Sequence, residues 1–139
     1  MRIAVIDGQG GGMGKTIIEK LRKSIGEGIE ILALGTNAFA TANMVKAGAN
    51  EGASGESAIC YCCKTIKLDC IIGPIGIICP NSMLGEITPT MAECIFSTEC
   101  RKYLIPVNKH GLYIPGVKDM QINDFIEEIV KEINSSKNT

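Results

Sequence analysis

The chain of 139 residues carries 14 basic and 15 acidic side chains, a formal net charge of −1, and 45% apolar residues. That length supports one domain with a continuous core rather than two, and the balanced charge, without a run of five like charges, excludes the footprint of a nucleic-acid binder or a polybasic membrane patch. No apolar run approaches the roughly 18 residues of a membrane span, and the N-terminus lacks the pattern of a secretory signal, so the expectation is a cytoplasmic protein.

Arg2 to Ile6 reads as a strand, and five glycines follow it within the seven residues from Gly8 to Gly14. Ordering so many glycines costs more entropy than ordering any other residue, so the stretch needs a reason. Met13, Ile17, Ile18, Leu21 and Ile25 then recur at the spacing of an amphipathic helix, with Gly26 positioned to end it. Ile29 to Leu34 is a second strand. Thr36 or Asn37 can cap a helix through about Ala47, closed by Gly48. "ANEGASGES" reads as a glycine-bearing loop, Glu56 to Ile66 as a helix with an acid in its first turn, and Asp69 to Gly73 as a short apolar strand.

The proline-interrupted middle gives a short helix or turn near Ile75 to Leu84 and a helix from Thr88 or Thr90 to about Cys100. Tyr103 to Val107 and Leu112 to Ile114 are strand candidates. Ile122, Phe125, Ile126, Ile129, Val130 and Ile133 mark a terminal amphipathic helix. The expected domain spans residues 1–134, with 135–139 as a frayed tail.

Strands alternating with helices predict a three-layer, Rossmann-like α/β domain, its mainly parallel sheet of about five strands covered by helices on both faces. The seven cysteines include one C-x-x-C pair, Cys60 and Cys63, without a second ligand pair at metal spacing. On a helix Ile59, Cys62, Cys63 and Ile66 share a face, so the thiols are read as core packing with no metal site. His110 reads as a loop residue.

Ligands of parallel sheets sit at the carboxyl ends of the strands, where the free N–H groups of a helix start suit a phosphate. The loop "DGQGGGMGKT" fails the Rossmann G-x-G-x-x-G, because Met13 or Lys15 occupies the third glycine position. It fits the P-loop at Gly14, Lys15 and Thr16 but has Gln9 in place of the first glycine. "GGMGKT" is similar to the loop of the ParA/MinD partition ATPases, although Gly10 stands where that group has its signature lysine. Gly8, Gly12 and Gly14 satisfy the G-x-x-x-G-x-G of the short-chain dehydrogenases.

Neither machine is complete. "LDCIIGP" does not end in the acid an ATPase needs for Mg²⁺. No tyrosine is followed four positions later by the lysine of a short-chain dehydrogenase, and "ALGTNA" carries no acid for an adenosine ribose. Over nearly its whole length, through "VIDGQGGGMGK", "ALGTNA", "GPIGI", "SMLGEITP" and "LIPVN", the chain resembles a family of short bacterial proteins of unknown function. That resemblance implies a small stand-alone protein and supplies no activity.

The candidate rim therefore comprises Asp7, Gly8, Gln9, Gly10, Gly11, Gly12, Met13, Gly14, Lys15, Thr36, Asn37, Gly73, Pro74, Glu86 and Asn108. Lys15 either contacts phosphate or lies on the solvent face of its helix. The expected ligand is a small molecule containing phosphate, with a nucleotide or NAD(P) compatible, and the expected role is a binding module. A small enzyme acting on a phosphorylated or carboxylated metabolite, with Asp7 or Glu86 as acid or base, and a degenerate P-loop ATPase are the alternatives. No catalytic residue is assigned. A homo-oligomer, homodimer or larger, is expected because a small sheet leaves edges to cover. Ile75 to Leu84 is the candidate contact, unless it folds back on its own sheet.

Overall fold

The computed structural model describes residues 1–107, 111–117 and 120–137. Five strands, β1 (Arg2–Asp7), β2 (Glu30–Gly35), β3 (Glu51–Ser54), β4 (Cys70–Pro74) and β5 (Arg101–Ile105), form one sheet in the order β3-β2-β1-β4-β5. Every pairing is parallel. The helices are α1 (Gly12–Ser24), α2 (Ala38–Lys46), α3 (Glu56–Thr65), α4 (Pro89–Phe96) and α5 (Ile122–Lys137).

Alternation along the strands feeds two cores. Ile3, Val5, Ile31 and Ile72 pack with Ile17, Ile18 and Leu21 of α1 and Ile126 and Ile133 of α5. Ala4, Ile6, Leu32, Leu34 and Ile71 pack on the opposite face with Ile59 of α3 and Met91 and Ile95 of α4. The central strands are buried on both faces, which is why they read as continuous apolar runs. The α/β class and the five-stranded parallel sheet are as the sequence predicts.

The strand set differs from the sequence reading in two places. β3 is "EGAS", read above as loop; it has no apolar run, and its place comes from pairing with β2. An added Cβ on Gly52 would stand 2.6 Å from Thr41 Cγ2 and 2.8 Å from Val45 Cγ2, so this glycine lets α2 lie against the strand. Leu112 to Ile114, read as a strand, is irregular. Its side chains join Val117, Met120 and Phe125 around a small hollow, while the edge of β4 is taken by β5. β5 itself starts two residues earlier than expected, in register Cys70↔Arg101 to Pro74↔Ile105, and Pro106 has no N–H to extend the ladder.

Local chemistry accounts for the helix boundaries. Asn37 caps α2 by accepting from Ala40 N at 2.8 Å. Thr88 caps α4 by accepting from Met91 N at 3.1 Å, with Pro89 in the first turn. α4 stops at Phe96 rather than Cys100, where Thr98 Oγ1 turns back to donate to Cys94 O. α5 runs to Lys137, into the segment 135–139 that the sequence predicts as a frayed tail. Ile75–Ile78 is one 3₁₀ turn, and Gly76 and Ile77 are buried against the sheet of their own chain.

Candidate functional site

The chain order places β1 and β4 side by side, with their crossovers leaving in opposite directions, so a crevice opens beyond their carboxyl ends. Asp7 ends β1 and Pro74 ends β4. A cleft of about 630 Å³ lies there, lined by Asp7, the loop Gly8–Gly12, Met13 and Thr16 on one side, and by Pro74, Gly76 and the turn Asn81–Leu84 on the other, with Val107 and Ile122.

Asp7 is 5% exposed. Its carboxylate accepts from Gly8 N through Oδ1 and from Gly14 N through Oδ2, both at 2.8 Å. It thus caps α1 from a distance, in place of the N-cap Gly11, whose φ is 72° and which has no side chain to do so. Burial pushes the Asp7 pKa up; the N–H groups of Gly14, Gly8 and Met13 pull it down, the charge of Glu86 raises it, and the net shift is upward.

The five glycines divide into two groups. A Cβ on Gly8 would meet Thr36 Oγ1 at 2.6 Å and Met83 Sδ at 2.7 Å; on Gly11, Ala40 O at 2.8 Å; on Gly14, Met44 Sδ at 2.4 Å. These three are required by packing, and Gly11 by its φ as well. Gly10 and Gly12 would meet nothing within 4 Å, and neither has a positive φ. Their N–H groups make no hydrogen bond to another described residue.

Glu86 is the second acid of the region. Its Oε1 accepts from Gln9 N at 2.8 Å, Thr36 Oγ1 at 2.6 Å and Asn37 Nδ2 at 2.9 Å. Burial works against the charge, but the three donors outweigh it and hold the carboxyl below its ordinary value. Asn37 Nδ2 also donates to Gln9 O at 3.0 Å, and Asn43 Nδ2 to Gly10 O at 2.9 Å. The loop is therefore clamped from α2 and from the turn before α4, with Gln9 held at φ 51°.

Of the expected rim, Asp7, Gly8, Gln9, Gly10, Gly11, Gly12, Met13 and Pro74 line the cleft. Gly14 lies beneath it against Met44, and Gly73 is pressed on β1, where a Cβ would stand 2.4 Å from Ile6 O. Thr36, Asn37 and Glu86 form the bracket behind the loop rather than its lining. Lys15 is exposed and does not line the cleft. Asn108 and His110 lie outside the described residues.

Of the opposite wall, only Pro74 is legible in the sequence. Asn81, Met83 and Leu84 all have φ between 55° and 66°, and Gly85 follows at 88°. Such conformations cost about 1 kcal/mol or more each for residues with a Cβ and persist only where their surroundings enforce them. The turn is closed by Asn81 N to Ile87 O at 2.7 Å and by Ser82 Oγ to Gly76 O. Leu84 is 97% exposed. "PNSMLG" carries turn residues but no sign that its apolar members would face the glycines.

All seven cysteines are free thiols, and among the described residues no group of three or more His, Cys, Asp or Glu side chains is placed to hold a metal ion. No helix among the described residues is long and apolar enough to cross a membrane.

Among solved structures the fold is similar to that of a dodecameric FMN-dependent UbiX-like decarboxylase from Escherichia coli O157:H7. The match has a TM-score of 0.55 and 12% identity, over 100% of this chain and 95% of that one. At that identity the likeness is one of fold. No curated protein matches the sequence. A family model matches residues 2–138, and the chain belongs to that family, described as a domain of unknown function (DUF3842).

Proposed function

We propose that the protein binds a phosphate-bearing nucleotide or dinucleotide in the cleft beyond β1 and β4, with the phosphate against Gly10 and Gly12. The observation that carries this reading is the division of the glycines. Packing accounts for Gly8, Gly11 and Gly14, whereas Gly10 and Gly12 have open space and no unusual φ, so a close-approaching ligand supplies their reason. The cleft volume of about 630 Å³ falls within the range of small-molecule and cofactor sites. Pro74, Met83, Leu84, Val107 and Ile122 give the far wall an apolar surface suited to a base or ring.

Titration with ADP, NAD⁺ and FMN tests the proposal; FMN is included because the solved structure of similar fold is described as FMN-dependent. One of them should bind the wild type, and Gly12→Val should weaken that binding at least tenfold without lowering the melting temperature. Absence of binding by all three, or unchanged affinity in Gly12→Val, refutes it.

A small enzyme is the second reading, favoured by Asp7, a buried carboxyl with a raised pKa in the cleft lining. Glu86 is a poor base, since three donors hold it ionised in the bracket. The P-loop alternative draws no support from Lys15, which stands outside the lining. Self-association and a cytoplasmic location belong to the same proposal. β3 and β5 are the end strands of the sheet, and the protein of similar fold is described as dodecameric. Ile77 is fully buried in its own chain, so the proposed contact moves to these end strands, and a mass of one chain in light scattering on the titration samples would exclude it.

A further inference from the structure

Among the described residues that line the cleft, Asp7 is the only one with an ionisable side chain. No lysine, arginine or histidine is among them, and Lys15 is exposed on α1. A phosphate resting on Gly10 and Gly12 therefore shares the cleft with a carboxyl and, among the described lining residues, with no side-chain cation. That carboxyl cannot readily swing aside, because Gly8 N and Gly14 N grip its two oxygens from the loop and from α1, each at 2.8 Å. It also occupies N–H groups at the start of α1 that an anion would otherwise use.

Two anions forced together in a partly desolvated crevice repel strongly. A protonated carboxyl in the same place removes the repulsion and offers the ligand an O–H donor. We propose that Asp7 takes up a proton when the phosphate binds, so that the cleft selects a phosphate together with a proton and holds it more tightly as pH falls. This inference rests on the phosphate reading above and specifies how the site tolerates its own acid.

The surroundings of Asp7 favour the neutral form. Burial is the largest influence and raises its pKa, the N–H groups of Gly14, Gly8 and Met13 oppose it, and Glu86, in the loop before α4, adds a like charge. Among the described residues, the other elements lining the site bring no further charge to it. β4 and the 3₁₀ turn present Pro74 and Gly76, and α2 brings Met44 against Gly14. A ligand anion is one more like charge and pushes the titration further in the same direction. Binding and protonation are then reciprocal: the ligand raises the proton affinity of Asp7 by the factor by which the proton raises ligand affinity.

Calorimetric titration at pH 5 to 8, in pairs of buffers with different ionisation enthalpies, tests this with NAD⁺, ADP and FMN after subtracting each free ligand's own protonation. The ligand that binds should bring uptake approaching one proton per site, with affinity rising up to tenfold per unit fall in pH. Asp7→Asn should abolish the uptake and flatten the pH profile. Should that variant not fold, the ¹³C shift of the Asp7 carboxyl in labelled wild type reports the same proton. Binding without proton uptake, or uptake with an unchanged Asp7 carboxyl shift, overturns the inference and leaves the phosphate reading standing. Absence of binding by all three at every pH overturns the phosphate reading and the inference with it.

Discussion

Two glycines of one loop, Gly12 and Gly14, should respond to alanine in opposite ways. At Gly14 the new methyl carbon would stand 2.4 Å from Met44 Sδ, 3.0 Å from Met44 Cγ and 3.1 Å from Asp7 Cβ. Uncrowded carbon contacts lie near 3.5–4.0 Å, so Met44 must move, yet Met44 is fully buried. Overpacking of this kind costs about 1–3 kcal/mol. The better helix propensity of alanine returns up to about 1 kcal/mol, so an overpacking cost of about 2–3 kcal/mol, the upper part of that range, leaves a loss of about 1–2 kcal/mol. For a domain of this size that is a fall in melting temperature of about 3–8 °C. At Gly12 no atom lies within 4 Å of the added carbon, and the same substitution should leave stability unchanged or raise it by up to about 0.5 kcal/mol. Urea unfolding followed by far-ultraviolet circular dichroism measures both. Wild-type stability in Gly14→Ala, or a larger loss in Gly12→Ala than in Gly14→Ala, would refute the division of the glycines into packing and open positions.

Glu86 and the thiols give two further predictions. Because the folded pKa of Glu86 is depressed, its contribution to stability is present above the ordinary carboxylate range and is lost as pH falls through the folded value. Glu86→Gln should therefore cost about 1 kcal/mol at pH 7 and reduce the acid sensitivity of the urea midpoint, and an unaltered acid limb would remove Glu86 from the clamp. Burial raises the pKa of Cys60 and Cys70 to about 12 and pushes Cys62, Cys63 and Cys100 upward. These five thiols should react slowly with an aromatic disulfide at pH 7.5 in the folded protein, and chelators should leave the melting temperature unchanged. Fast labelling of Cys60 or Cys70, or loss of stability on chelation, would contradict a packing role.

The sequence by itself determined the layers and marked the glycine loop that lines the cleft. The apolar runs of β1, β2 and β4 and the helical stripes of α1 and α5 are local patterns, and a hydrophobic face must be buried whatever lies opposite it. The glycine block announced itself for the same reason, since its entropic cost is a property of the chain. Tertiary structure alone decided which glycines packing requires, because the atoms that crowd Gly8, Gly11 and Gly14 come from Thr36, Met83, Ala40 and Met44. It also decided that "EGAS" is a strand, by supplying the edge of β2, and that "LYI" is not, by giving the edge of β4 to β5. Glu86 reaches Gln9 across 77 positions and Thr36 across 50, and a hydrogen bond over that separation leaves no periodicity in the chain. Local propensity is written in neighbouring residues, whereas a clamp or a cleft wall exists only once folding has brought distant ones together.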